Sequence, residues 1–248
     1  MNAHVDFELT ARPLDADGVT VAVSAHDYAH HIVAALDSVY RQTHAALDLI
    51  VVNDHSTDDT ASVVRHWMES HSGRFREVVL VSHDRRYGLA QARNTAFARA
   101  QNDWVFVLDA DNELYPAAIE RLRDGGMRAG AYAGYSLLET FGDEHSLGLS
   151  EVWNPAKLAT GNYIDAMALI RRSAWRTVGG YSELTVPGLE DFDLWCKFVE
   201  HHLDAVFTPE ILCRYRVHAG SMLRRTTNPK IDALNVELSF RHPWLKLP

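Results

Sequence analysis

Cysteine is scarce: the 248-residue chain has two, Cys196 and Cys213, far apart. Two isolated thiols make neither a disulfide framework nor a zinc site. One falls in an expected amphipathic helix and the other in an expected strand, where each reads as a small buried hydrophobe suited to a reducing compartment. No stretch approaches the roughly 20 apolar residues that span a bilayer, and the polar segment 1–18 lacks an apolar signal core. These absences predict a cytoplasmic protein whose membrane contact, if any, is peripheral. Positive charge is in deficit, with 24 basic against 33 acidic residues and a formal net charge of -9. A general nucleic-acid binder carries a basic face, so nucleic acid is not an expected partner. One anionic ligand stays compatible, because a local cation reverses the field inside a cleft. Internal repeats and low-complexity tracts are missing too, as is the glycine fingerprint of dinucleotide binding.

What remains is a globular composition, 47% hydrophobic and 23% charged, with enough apolar material for a core. Val19–Ser24, Leu47–Val52, Val78–Val81 and Trp104–Leu108 are apolar runs expected as strands. Between them lie helical patterns: Tyr28 to Val39, then Ala61, Val64, Trp67 and Met68 on one face behind a Thr57 or Asp58 cap, then Tyr87–Ala100 opened by Gly88. Pro116 suits the first turn of a further helix. Continuous apolar strands alternating with helices predict an α/β fold with a mostly parallel sheet covered on both faces. Further along, Ala131–Leu138, Asp165–Ile170, Ala205–Phe207 and Leu212–Val217 are expected strands, Glu190–His202 a helix and Ile231–Phe240 a weaker one. Glu139–Gly161 reads as a long loop, of the kind that serves as a lid. One domain with two lobes is expected, the first binding nucleotide and the second completing the site.

Open α/β sheets bind ligands beyond the carboxyl ends of their strands, and three such ends are polar: Ser24-Ala25-His26-Asp27, Asn53-Asp54-His55 and Asp109-Ala110-Asp111-Asn112. Asp109 and Asp111 follow a buried strand, where a carboxylate pair calls for cations or water. Mg²⁺ and Mn²⁺ take one or two carboxylates together with substrate phosphates, so a metal-held diphosphate fits; a solvated turn fits equally. Asp54 suits a nucleobase N–H or a turn. Arg93 lies on an apolar helix face, free to reach inward to phosphate or to the aspartates, or outward to solvent. Glu190 and Asp191 begin a helix, where carboxylates complement the dipole and one is able to act as a general base. His218, after a short strand, is a candidate metal ligand among 14 histidines.

In order and spacing, six segments resemble family 2 glycosyltransferases of the GT-A fold. They are Val51-Val-Asn-Asp54-His-Ser-Thr-Asp58, Gly88-Leu-Ala-Gln-Ala-Arg-Asn94, Leu108-Asp-Ala-Asp-Asn112, Val178-Gly-Gly-Tyr-Ser-Glu183, Leu189-Glu-Asp-Phe-Asp-Leu-Trp195 and Tyr215-Arg-Val-His-Ala-Gly-Ser-Met222. The resemblance runs from about Val19 to Met222. It implies a single domain over 1–248, with a nucleotide-binding half at about 19–112, an acceptor-side half at about 113–222 and a helical tail at 223–248. Ser24 and His26 match positions that contact the base, Asp54 the aspartate that binds a uracil-type base, and Arg93 the helix arginine near the nucleotide. Asp109 matches the residue of the DXD motif that supports ribose and metal, Asp111 the direct metal ligand, Asp191 the general base and His218 an additional metal ligand. The implied activity is inverting transfer of a sugar from a nucleotide-diphosphate sugar, UDP-type, to a saccharide or lipid-linked hydroxyl acceptor, with Mn²⁺ or Mg²⁺. His26-Asp27 replaces the usual Tyr-Asn, and Asn53-Asp54-His55-Ser56 the usual Asp-Asp-Gly-Ser. The Gln-x-x-Arg-Trp motif of processive synthases is absent, which implies one sugar per visit. Rival readings are a silent nucleotide-sugar-binding module and a nucleotidyltransferase.

Overall fold

Four of the expected strands pair in parallel: β2 (Val19–Ala25), β3 (Leu47–Asn53), β4 (Glu77–His83) and β5 (Trp104–Asp109). In the computed structural model, which describes residues 2–11 and 13–247, they form the centre of one sheet. The remaining strands are β1 (Ala3–Thr10), β6 (Glu113–Leu114), β7 (Ala133–Gly142), β8 (Leu169–Arg171) and β9 (Ala205–Val217). Among the described residues the order is β1-β4-β3-β2-β5-β8-β7-β9-β6. β7 and β9 are parallel, while β1, β8 and β6 join antiparallel.

Alternation along each strand fills two cores. Ile50 and Val52 of β3 face one side with Phe97, Trp195 and Phe198, whereas Leu49 and Val51 face the other with Leu36, Trp67 and Phe106. The helices α3 (Leu89–Arg99), α6 (Arg172–Thr177), α7 (Glu190–Glu200) and α8 (Ile231–Arg241) supply the first side. The second is covered by α1 (Ile32–Tyr40), α2 (Thr60–His71) and α4 (Ala118–Ala129). Both faces are dry, as the unbroken apolar strands require. Emptying such a site, as in Phe97→Ala, costs about 3–5 kcal/mol.

Several boundaries differ from expectation. β1 was not expected: it is a mostly exposed edge strand in which Val5, Phe7 and Leu9 alternate with polar residues and Phe7 alone packs on the core. Residues 165–168 are not strand, because Asp165 folds back to accept the Met167 N–H at 2.8 Å, and β8 begins only at Leu169. The two expected strands 205–207 and 212–217 are one strand, β9, interrupted in register between Thr208 and Ile211. That bulge accommodates Pro209, which has no N–H for the ladder. Helix α2 starts at Thr60 without a side-chain cap from its N-cap Asp59; Asp58, one residue outside, accepts the Thr60 N–H at 2.9 Å. The expected loop 139–161 begins as the end of β7 and contains α5 (Pro155–Leu158), capped by Asn154. Both cysteines are free and buried, as expected.

The tail is pinned where α7 meets α8. Asp193 is fully buried and accepts from Arg241 Nε at 2.8 Å and pairs with Lys197 Nζ at 2.8 Å. His242 bridges Asp193 Oδ1 at 3.1 Å and Glu200 Oε1 at 2.7 Å. Burial disfavours the His242 charge, but these two carboxylates raise its pKa above the ordinary value.

Candidate functional site

Register brings the predicted residues to one edge of the sheet. Ser24 pairs with Asp109 across β2 and β5, and Ala25 with Asn53 across β2 and β3. Ser24, His26, Asp54 and Asp109 therefore lie at neighbouring strand ends. Ser24 Oγ is buried and has no hydrogen-bond partner in the protein. His26 Nδ1 lies 2.9 Å from the Asp54 carbonyl, and its Nε2 lies 3.5 Å from Asp27. Asp27 has φ of +60° and accepts the Thr57 N–H at 2.6 Å, tying the loop after β2 to the loop after β3.

Asp54 is buried and already well bonded. It accepts from His83 Nδ1 at 2.7 Å and from the backbone N–H of Tyr87 at 2.8 Å and Gly88 at 2.7 Å. Burial opposes its charge, yet these donors hold the carboxyl below the usual range. A carboxylate has about four acceptor sites, and these three donors fill all but one of them. Beside this loop an open cavity of about 590 Å³ is lined by Arg85, Arg86, Tyr87, Gln91 and Glu183.

Arg93 does reach inward. It is 3% exposed, and its Nη2 donates to Asp109 Oδ1 at 2.9 Å. Its guanidinium stands 5.4 Å from the Tyr181 ring centroid. Burial alone would depress its pKa; Asp109, Tyr181, Glu190 and Asp191 around it raise it instead. Asp111 turns the other way. Its Oδ2 lies 3.0 Å from His218 Nε2, and its carbonyl accepts from Arg216 Nε at 3.0 Å. Burial and the nearby Asp109 push the Asp111 carboxyl up. The Tyr28 phenol hydrogen-bonds it and is itself raised by burial and by both aspartates. His31, pushed down to about 4 by burial and by His30, Arg216 and His218, packs 5.3 Å from the His218 ring.

The three residues expected to bind metal thus separate. Asp111 and His218 meet, Asp109 pairs with Arg93, and among the described residues no group of three or more His, Cys, Asp or Glu converges on a cation position. A hard carboxylate oxygen and an imidazole nitrogen side by side fit a divalent cation that takes its other ligands from phosphate and water.

Asp191 sits in the first turn of α7, after Leu189 at φ +63°. Gly188, at φ +114°, packs so tightly on Thr227 that a Cβ would meet its Oγ1 at 2.2 Å. Burial raises the Asp191 pKa, while Arg93, the Phe192 N–H and Asn162 counteract it. Asn162 Nδ2 donates to Asp191 Oδ2 at 3.0 Å. Asp165 is a further carboxyl, pushed up to about 7 by burial and by Asp191 and Asp109, against the Met167 N–H and Arg93.

Sequence reasoning missed Asn162, Asp165 and His83. The first two lie in a segment with no periodicity, and Asp165 was absorbed into an expected strand. The available signal was chemical: a carboxyl leading into a buried apolar run, in Asp165-Ala-Met-Ala-Leu-Ile170, calls for a partner.

Residues 20–179 match the sequence model of a family described as glycosyl transferase family 2. Over 237 residues the chain is 25% identical to the putative glycosyltransferase EpsE of Bacillus subtilis (strain 168), covering 93% of this chain and 84% of EpsE. It spans about a third or less of several other curated relatives. Among solved structures, S. aureus TarS 1–349 in complex with UDP-GlcNAc superposes with a TM-score of 0.70 at 14% identity, covering 84% of this chain and 61% of that one. The mannosyltransferase PcManGT from Pyrobaculum calidifontis, in complex with GDP-Man and Mn²⁺, gives 0.64 at 22% identity, covering 91% and 71%. These two likenesses concern the fold, which is that of GT-A glycosyltransferases.

Proposed function

Since the chain belongs to glycosyl transferase family 2 and is a glycosyltransferase, we propose that it moves one sugar per visit from a UDP-type nucleotide-diphosphate sugar to an acceptor hydroxyl, with inversion. The observation that carries this reading is buried Arg93, hydrogen-bonded to Asp109 at 2.9 Å and within electrostatic reach of Asp191. One buried cation thus pairs with the strand end suited to the diphosphate, and its charge favours the ionised form of the carboxylate suited to the acceptor.

Ser24 and His26 line the base side, and the remaining acceptor site of Asp54 takes a base N–H. Arg93 and Asp109 orient ribose and diphosphate. Asp111 and His218 would hold Mn²⁺ or Mg²⁺, with Asp109 in support. When bound, the cation offsets charge on the departing diphosphate. Complexes of TarS with UDP-GlcNAc and of PcManGT with GDP-Man and Mn²⁺ support a nucleotide-sugar donor and a divalent cation. Asp191 takes the acceptor proton. Burial raises its pKa, which strengthens it as a base. Half-buried Trp153 offers a face for sugar stacking, whereas Tyr163, at 6% exposure, belongs to the core.

The acceptor is a saccharide or a lipid-linked sugar. Among the described residues no helix is long and apolar enough to cross a membrane, so a lipid-linked acceptor would be met from the surface. The test is a hydrolysis screen of UDP- and GDP-sugars with Mn²⁺. Release of nucleoside diphosphate is expected; release of pyrophosphate would point to nucleotidyl transfer, and no turnover of any donor to a silent binding module.

A further inference from the structure

The carboxylate assigned as base is held by a residue outside its own helix. Asn162 Nδ2 donates to Asp191 Oδ2 at 3.0 Å, and Asn162 Oδ1 accepts the Ile164 N–H at 3.1 Å. The second bond fixes the orientation of the amide. A flipped side chain would set oxygen against carboxylate and nitrogen against an N–H, losing both bonds. The segment that carries Asn162 is itself anchored. Asp165 folds onto the Met167 N–H, and Val107 of β5 donates to the Ala168 carbonyl at 3.1 Å. The amide is thus mounted on the sheet rather than on a free loop.

We propose that Asn162 is a positioning residue for Asp191, fixing Oδ2 and leaving Oδ1 for the acceptor hydroxyl. This rests on the reading of Asp191 as the base. A hydrogen bond to an ionised acceptor is stronger than one between neutral groups, so Asn162 favours the carboxylate form. Other groups also face Asp191: Arg93 of α3, Asp165 beside Asn162, Tyr181 of the preceding loop, and Glu190 and Cys196 of α7. Arg93 favours the charge, and the carboxyls oppose it. Removing the Asn162 donor tips this balance toward the protonated form. Replacing it with a carboxylate tips it further.

The experiment is a pH–rate profile of donor hydrolysis, water serving as acceptor, with the UDP- or GDP-hexose turned over fastest. Wild type, Asn162→Ala, Asn162→Asp and Asp191→Asn are compared, and UDP with Mn²⁺ is titrated calorimetrically into each. In Asn162→Ala, kcat falls about tenfold and the acid limb moves up by about one pH unit. In the isosteric Asn162→Asp the limb moves further up. UDP affinity is unchanged in both. Acid limbs that coincide with wild type, or a parallel loss of UDP affinity, overturn the role of Asn162. Wild-type turnover in Asp191→Asn instead overturns the base itself. Collapse of turnover in Asp191→Asn with unmoved limbs in both Asn162 variants leaves the base standing and removes only the inference about Asn162.

Discussion

Arg93 Nη2 donates to Asp109 Oδ1 at 2.9 Å, so a cation buried on α3 meets the carboxylate that ends β5. Removing one partner of a buried pair leaves the other uncompensated, at about 3–5 kcal/mol. The Asp109 side chain is 26% exposed, which puts Arg93→Met at the lower end, about 3 kcal/mol. Urea denaturation checks this. UDP binding by the folded variant should weaken as well.

Asp111 and His218 predict a metal dependence. Chelation with EDTA should abolish turnover, and Mn²⁺ should restore it. Asp111→Ala should weaken Mn²⁺-dependent UDP binding by at least the roughly 10–100-fold seen when a metal site loses a supporting group. Calorimetry showing the same UDP affinity with and without Mn²⁺ would remove both residues from the metal site.

Asp191→Asn tests proton transfer. General-base assistance is typically worth about 10²–10⁴-fold, so kcat should fall by that order while UDP affinity stays. Retained turnover would sink the assignment.

The tail should respond to pH in a defined window. Burial opposes the Asp193 charge, but His242 and Lys197 depress its pKa. Its contribution is present above the ordinary 3.8 and is lost on acidification through the depressed value. His242 has a raised pKa, so its contribution is full below the ordinary 6.5 and is lost as pH rises through the raised value. Docking of α8 should therefore be strongest between these limits. Exchange protection of α8 amides, corrected for intrinsic rates, should be greater at about pH 5.5 than at about pH 8.5. His242→Ala should flatten the difference.

The segment 143–154 exposes Leu147, Leu149 and Val152 and contains no helix. Exposed apolar side chains in a loop whose first residue, Asp143, donates its N–H to the Val217 carbonyl next to His218 at 2.9 Å predict ordering on ligand binding. Its amides should gain exchange protection with UDP and Mn²⁺; equal protection in both states refutes a lid role.

The centre of the sheet was legible because β2, β3 and β5 are buried on both faces and leave unbroken apolar runs. β1 lies outside those runs: Ala3, Val5, Phe7 and Leu9 alternate with polar residues, a two-residue period that was passed over, and only Phe7 packs on the core. Pro209 disguised the continuity of β9, since a bulge is a property of the pair of strands and not of one. Within the site, strand ends pointed to Ser24, Asp54 and Asp109, and the apolar face of α3 pointed to Arg93. His83 behind Asp54 and Asn162 behind Asp191 were invisible, because each contact joins residues 29 apart in sequence through the fold alone.

Strand β1 has one more consequence. It lies antiparallel on β4 from Ala3↔His83 to Thr10↔Glu77, with a bulge between Val5 and Phe7. The edge it covers belongs to Val78-Val-Leu-Val-Ser82, a β-branched, uncharged stretch. Bare edges of that kind template pairing with other chains. A version shortened to begin at Val19 would keep every residue of the site, yet its solution behaviour should change from dispersed to self-associating.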